Sequence, residues 1–508
     1  MLTIYLTYHP SNGNNYMSAE PRRKREPPAR PNHILLYTII NPAYPITVIE
    51  ISEVIAATKT LKSGKSPGID GITNEILKTD SETLIVHLTE LFNLILNTGE
   101  TPTQWSESDI ILIYKKGDPN DIVNYRPISL LPTIYKLFSS IVNKRIYPTL
   151  EARQPVEQAG FRKGKAFDCV SHINIWESLT TQGVEKEYIS VIKRIYNNSK
   201  SRFKLETAGP WFPIKRGVRQ GDPLSPLLFL ATLVTVISQL NWKGRGIKIN
   251  DAYLSHLRFA DDLVLLSETG QEIQYMLESL NNASKRVGLE INLSKTMLMT
   301  SSEKKALYLG SEPLKYTDSY IYLGKQISLH NSNDQEVERR TQLTWNKYWA
   351  LKDIFKISMP VKIKTKVLNS CLIPCLTYAC QTWKFNKKTK DKIITCQRGI
   401  ERSMLNIRKV QKIRHTKIRN TTKDGLEHAQ SLKWRWAGHV ARLRDKRWTK
   451  TVTIWAGPQG KRKRGRPVAS WEDDIKKTAG PNWIQVAQSR EDWLSLEEAF
   501  TYRGVLTE

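Results

Sequence analysis

With 508 residues, 40% of them hydrophobic, the chain is long enough for about three domains with sizeable cores, which excludes a disordered or fibrous protein. Its 77 Lys and Arg against 49 Asp and Glu give a net charge of +28, so a polyanionic partner is expected, either nucleic acid or an acidic membrane surface. No lipidation motif is present, and the longest apolar stretch, Leu224 to Leu240, is broken by Ser225, Pro226, Thr232, Thr235 and Ser238, so it reads as a buried helix and nucleic acid is the favoured partner.

In chain order, residues 1–46 read as a linker-like fragment, first Asn/Gly-rich and then basic over Pro21 to Arg30. That basic run suits either a nuclear address or a solvated spacer. Residues 47–154 alternate amphipathic helices, such as Glu82 to Leu96 with apolar residues at helical spacing, with a strand over Asp109 to Tyr114. Residues 155–330 hold strand-like runs, and 331–400 turn helical and basic. Five cysteines, Cys169, Cys371, Cys375, Cys380 and Cys396, are sparse and odd in number with no signal peptide, which suggests reduced thiols inside a cell. Three of them sit in the apolar run Cys371 to Cys380 without zinc-site spacing, so core packing is preferred to metal.

Charge is uneven. Residues 401–470 carry 20 Lys and Arg against 4 Asp and Glu, over half of the whole chain's excess. Trp434, Trp436, Trp448 and Trp455 lie among these bases, Trp434 next to Arg435, and suit either stacking on nucleic acid or a small core. Lys461-Arg-Lys-Arg-Gly-Arg-Pro467, with Arg464 and Arg466, resembles an AT-hook that enters a minor groove, with a basic linker as the other reading. Residues 471–508 are acidic by contrast, with 8 acids and 4 bases, and read as a helical end.

The chemistry centres on Leu257-Arg-Phe-Ala-Asp-Asp-Leu-Val-Leu-Leu266, where Asp261 and Asp262 stand between two strand-like runs. Adjacent carboxylates at a strand turn suit divalent ions in phosphoryl transfer, since hard cations take oxygen ligands. Upstream, Lys215-Arg-Gly-Val-Arg-Gln-Gly-Asp-Pro223 forms a Gly/Pro-shaped loop that feeds the apolar helix and allows a close backbone approach. Downstream, Val287 to Thr296 ends on Lys295, placed to meet a pyrophosphate, and Tyr322-Leu-Gly-Lys325 follows.

These segments, in this order, closely resemble the reverse transcriptases of non-LTR, long-interspersed-type retrotransposons. Lys65-Ser-Pro-Gly-Ile-Asp-Gly71, Ile111 to Asp118, Asn124-Tyr-Arg-Pro-Ile-Ser-Leu130 and Glu157 to Gly164 are similar to the family's fingers and early palm motifs. The later segments are similar to its motifs B, C, D and E, and the likeness runs from about residue 50 to 500. The resemblance implies an α+β, right-hand polymerase fold: fingers over 47–154, palm over 155–330, helical thumb over 331–400, and a basic, mostly helical C-terminal domain over 401–508. It implies Asp261 and Asp262 as metal-ligating catalytic residues, with Mg2+ or Mn2+. Arg126 would grip the dNTP triphosphate, a task for a forked, permanently charged donor. Phe167 would gate against a ribose 2′-OH, Gln220 and Gly221 would contact the nascent base pair, and Lys295 would donate a proton to pyrophosphate. The implied partners are an RNA template, a DNA primer and dNTP, with no membrane and no protein partner indicated. The location would be intracellular, nuclear or cytoplasmic.

One family element is missing. Motif A places an aspartate five residues before the gate phenylalanine, and here that position is Arg162. The helix and strand that would carry it are absent near residues 164–166, where Gly164 leads through Lys165 into Ala166-Phe-Asp168. Asp168 adjoins the gate and should project differently on extended backbone. Loss of a central strand should leave backbone groups unpaired. Too few residues precede Lys65 for the family's endonuclease, and no RNase H acid cluster stands out. The expectation is therefore an internally deleted RNA-directed DNA polymerase of impaired activity, or else a non-catalytic remnant that still binds nucleic acid.

Overall fold

The computed structural model describes residues 2–7, 48–79, 81–115, 117–153, 169–259, 262–330, 332–414, 418, 422–444, 447–455, 457 and 470–502. A strand, β1 (Leu2–Thr7), opens it. From residue 48 the chain is helical. Ser81 Oγ accepts from the Leu84 N–H at 3.4 Å and starts the helix Glu82–Thr98, which ends where the Gly99 N–H donates to Ile95 O. Ile85, Leu88, Thr89, Phe92, Ile95 and Leu96 form its buried stripe.

The expected strand is β2 (Glu107–Tyr114), paired antiparallel with β3 (Tyr125–Leu130). β4 (Lys200–Phe203) runs parallel on the other side of β2, and β5 (Phe212–Pro213) closes the order β3-β2-β4-β5. The helices Thr133–Glu151, His172–Thr181, Lys186–Asn197 and Ser225–Ser238 share one apolar core with Phe92 and Trp105. Ser225–Ser238 is buried around most of its circumference, as its mostly apolar sequence predicts.

A second sheet follows a hairpin of β6 (Ile247–Ile249) and β7 (Ala252–Leu254). Its strands are β8 (His256–Phe259), β9 (Asp262–Ser267) and, after the helix Gly270–Arg286, β10 (Met297–Thr300). β11 (Tyr308–Leu309) and β12 (Glu312–Pro313) form a small hairpin, β13 (Lys315–Tyr316) adds to β10, and β14 (Ser319–Tyr322) turns into β15 (Lys325–Ser328). The sheet order is β13-β10-β1-β9-β8. Residues alternate along it. Leu263, Leu265 and Leu298 meet Ile273, Met276 and Leu277 of the helix on one face, while Val264, Leu266 and Met299 pack with Tyr320, Ile327, Trp448 and Trp455 on the other.

The centre of this sheet corrects two expectations. Leu2–Thr7 is not linker: it pairs antiparallel with β9 from Leu2↔Ser267 to Thr7↔Asp262, and with β10 from Leu2↔Thr300 to Tyr5↔Met297. Leu-Thr-Ile-Tyr-Leu-Thr is rich in β-branched and aromatic residues, a composition that suits a strand covered on both faces. The facing edges of β9 and β10 are accordingly paired along β1 rather than left open.

Beyond β15 the chain is helical. Ser332–Ala350, Lys387–Met404 and the start of Gly425–Ala441 enclose Val337, Tyr348, Phe355, Trp383, Ile393 and Leu426. The helix Lys387–Met404 passes through residue 400 without a break, and Gly425–Ala441 goes on to a separate core of Trp434, Ile475, Trp483, Trp493 and Phe500. At Gly438 a Cβ would lie 2.4 Å from Trp493 Nε1, so this crossing needs glycine. Among the described residues no helix is long and apolar enough to cross a membrane.

Candidate functional site

Asp262 begins β9, half-buried, with Phe259 of β8 opposite it on one side and Thr7 of β1 on the other. Beneath it, His256 and Arg258 of β8 are buried. Burial, with the Arg258 charge adding to it, pushes the His256 imidazole down to about 3, so it stays neutral. Lys295 ends the turn Leu293–Lys295 that leads into β10, two residues before Met297, the partner of Tyr5. It therefore stands at the same end of the sheet as Thr7 and Asp262. Partial burial pulls its ammonium down to about 8.

The Gln220–Gly221 loop is fixed from both ends. Arg219 is buried, its guanidinium 4.5 Å from the Tyr135 ring centroid and 5.1 Å from that of Tyr196, and Nη1 donates to Trp105 O at 2.7 Å. Asp222, buried and 3.5 Å from Arg219, accepts from Tyr135 Oη, from Ser139 Oγ at 2.8 Å and from the Leu224 N–H at 3.0 Å. Burial, more than the neighbouring carboxylate, raises the Tyr135 phenol, which stays protonated and donates. Between these anchors the Ser129 N–H of β3 donates to Gln220 O at 2.8 Å. Gly221, at φ +119°, approaches the same strand so closely that a Cβ would lie 2.8 Å from Ser129 O. Arg126 lies three residues earlier on β3, half-buried and opposite Ile113. The helix leaving this loop, Ser225–Ser238, packs on Gly270–Arg286 under the second sheet, which ties the two groups into one body.

A third cluster surrounds the Tyr322–Lys325 turn, where Leu323 (φ +50°) and Gly324 (φ +76°) make a tight hairpin. Glu336, fully buried, pairs with Arg339 and Arg340 at 3.1 and 2.7 Å and accepts from the Gln326 N–H at 2.8 Å. Both arginines donate to Gly324 O, and Tyr378 Oη donates to Leu323 O at 2.8 Å. Beside it is a cavity of about 560 Å³ lined by Tyr322, Lys325, Thr377, Tyr378 and His428.

Residues 113–327, which span β3, the Gln220–Gly221 loop, β8 to β10 and the Tyr322–Lys325 turn, match the family described as reverse transcriptase (RNA-dependent DNA polymerase). A transposon-derived protein of Caenorhabditis elegans is 31% identical over 270 residues, covering 49% of this chain and 97% of that protein. The chain belongs to the reverse transcriptase family of non-LTR retrotransposons. The polyprotein of the type-1 retrotransposable element R2 of Nasonia vitripennis is 30% identical over 55% of this chain. The RNA-directed DNA polymerase from transposon BS of Drosophila melanogaster is 26% identical over 70% of it. This chain spans only 31% and 44% of the length of those two proteins.

Of the residues expected to act in this reverse transcriptase relative, Asp262 and Lys295 come together at one sheet end, and Arg126, Gln220 and Gly221 along β3. Asp261, Phe167, Arg464 and Arg466 lie outside the described residues, as does Asp168. Trp434 is a correction. It is fully buried against Trp493 and Phe500 and cannot stack on a base, because its neighbours in the helix and the end segment supply enough apolar surface for a core. Arg435 remains exposed and pairs with Glu497 at 2.9 Å. Sequence reading missed Arg219, Asp222 and Tyr135, although an Arg and an Asp flanking Gln-Gly before a wholly apolar helix was a signal that both are buried and paired.

Two-ion chemistry needs carboxylates held close together, and of the expected pair only Asp262 lies among the described residues. Among the described residues no group of three His, Cys, Asp or Glu is placed to hold a metal, and the register position beside Asp262 is Thr7. Cys380 and Cys396 are buried, and their thiols are pushed up to about 12 by that burial, as expected of packing residues.

Proposed function

We propose that this chain is an RNA-directed DNA polymerase domain protein, with a right-hand arrangement of fingers, palm and thumb, that binds template and primer but carries out little or no synthesis. The observation that carries the proposal is the pairing of Asp262 with Thr7, a hydroxyl residue where the neighbouring strand of an active site would bring a second acid. In this reading Arg126 holds a triphosphate, the pinned Gln220–Gly221 backbone supports the base pair, and Lys295 faces the pyrophosphate end. The Tyr322–Lys325 turn, clamped by Arg339, Arg340 and Tyr378, holds the primer strand. The net charge of +28 supplies affinity for the duplex. Any residual chemistry would use Mg2+ or Mn2+.

The test has two arms. An RNA template annealed to a DNA primer should bind with an affinity that falls linearly in log K against log salt. With dNTPs and either cation, extension should remain near background. Binding without extension supports a binding protein derived from the polymerase; absence of salt-dependent binding overturns the first half of the proposal, and extension well above background overturns the second.

A further inference from the structure

The helix Gly425–Ala441 carries a line of basic side chains that lies outside both apolar cores it serves. Arg435 and His439 are exposed, His428 is half-buried, and so is Arg442 just past the helix end. Steps of seven, four and three residues keep these four on one side, while Leu426, Lys433, Trp434, Ala437 and Ala441 turn inward. Charge of one sign is crowded along this line. Burial, and then the Lys423 and Arg435 charges, hold the His428 imidazole below its ordinary value; burial, and then the Arg490 charge, lower the Arg442 guanidinium. Glu497 pairs with Arg435 at 2.9 Å, and Arg442 Nη1 donates to Ala487 O at 2.6 Å. From His428 to Trp455 the sequence has seven Lys and Arg against one acid, Asp445. An aromatic face stands beside the line. Trp436 is 38% exposed, its ring centroid 5.6 Å from that of His439 and the planes inclined by 32°. The line also connects two parts of the chain. His428 lines the cavity of about 560 Å³ together with Tyr322 and Lys325, and Arg442 stands about 21 Å further along the helix axis.

We infer that His428, Arg435, His439 and Arg442, with Trp436, form a track for single-stranded RNA that leads from the Tyr322–Lys325 turn to the C-terminal unit. Spaced cations neutralise phosphates, and the crowding of like charges is relieved when a polyanion lies along them. The indole face of Trp436 offers stacking to unpaired bases, which a duplex keeps inside its own stack. A length of about 21 Å accommodates roughly six nucleotides of a stacked strand at about 3.4 Å each. The choice of RNA over DNA follows from the RNA template of the proposed function, and the inference rests on that reading.

The full chain is titrated, with fluorescence anisotropy as the readout, against a labelled, unstructured RNA of about 12 nucleotides and against a blunt-ended RNA–DNA hybrid. Trp436→Ala should weaken binding of the single strand about ten-fold and leave the hybrid nearly unchanged, while Trp436→Phe keeps most of the affinity. Arg435→Gln, a change at an exposed position, should lower the slope of log K against log salt for the single strand by about 0.7, the share of one phosphate. This second variant carries the test where loss of the indole disturbs folding. Unchanged single-strand affinity in a folded Trp436→Ala, equal weakening of strand and hybrid, or an unchanged slope in Arg435→Gln overturns the track. A DNA strand of the same sequence that binds as tightly, and loses as much in Trp436→Ala, overturns the assignment to RNA. Failure of the proposed function is distinguishable, because there the parent chain does not bind the hybrid at all.

Discussion

Trp434 and Trp493 stack face to face, ring centroids 3.9 Å apart and planes within 7°, and each indole N–H donates to the other's carbonyl, at 2.8 and 3.0 Å. This reciprocal pair is the centre of the C-terminal core, not a surface for bases. Trp434→Ala should lower the stability of that unit by about 3–5 kcal/mol, the usual cost of emptying a buried aromatic site. Denaturant melts followed by tryptophan fluorescence check this. Equal stability, with weakened nucleic-acid affinity, would restore the stacking role.

Arg219 and Asp222 bury opposite charges beside the Gln220–Gly221 loop. Asp222→Ala leaves the Arg219 guanidinium without its carboxylate and frees Tyr135 and Ser139, so a loss of about 3–5 kcal/mol is expected. Urea unfolding measures it.

Gly221→Ala adds a Cβ 2.8 Å from Ser129 O at a backbone angle of +119°. Strain and the forced separation from β3 should cost roughly 1–3 kcal/mol. Hydrogen exchange should show the Ser129 amide, bonded to Gln220 O, losing protection first. Unchanged protection at Ser129 would count against the close approach.

His256 links stability to acid. Its folded value of about 3 lies below the unfolded value near 6.5, so both states are neutral above pH 6.5 and only the unfolded chain takes up the proton as pH falls toward 3. Its contribution to stability is thus intact at neutral pH and lost across that window. From pH 7 to pH 5 the loss from this residue is about 2 kcal/mol. His256→Gln should show a correspondingly smaller drop in unfolding free energy over the same range.

Much of this arrangement was legible in the sequence because it is local. The helix over Glu82–Thr98, the strand around Asp109–Tyr114 and the buried helix after Leu224 follow from apolar spacing alone. The Asp261–Asp262 pair drew its meaning from the order of its neighbours. What the sequence hid is non-local. Leu2–Thr7 reads as a fragment because its pairing partners lie some 260 and 290 residues away. Trp434 reads equally as a stacking residue or a core residue until Trp493, 59 positions later, is brought against it. Glu336 and Arg340 are four residues apart on one helix, but the contact that buries them, Arg340 donating to the Gly324 carbonyl, reaches back 16 residues.

The proposed function is binding of template and primer without synthesis, and primer extension tests it most directly. With an RNA template, a DNA primer, all four dNTPs and either Mg2+ or Mn2+, the account predicts binding without extension above background. Sustained template-directed incorporation by the unaltered chain would contradict it.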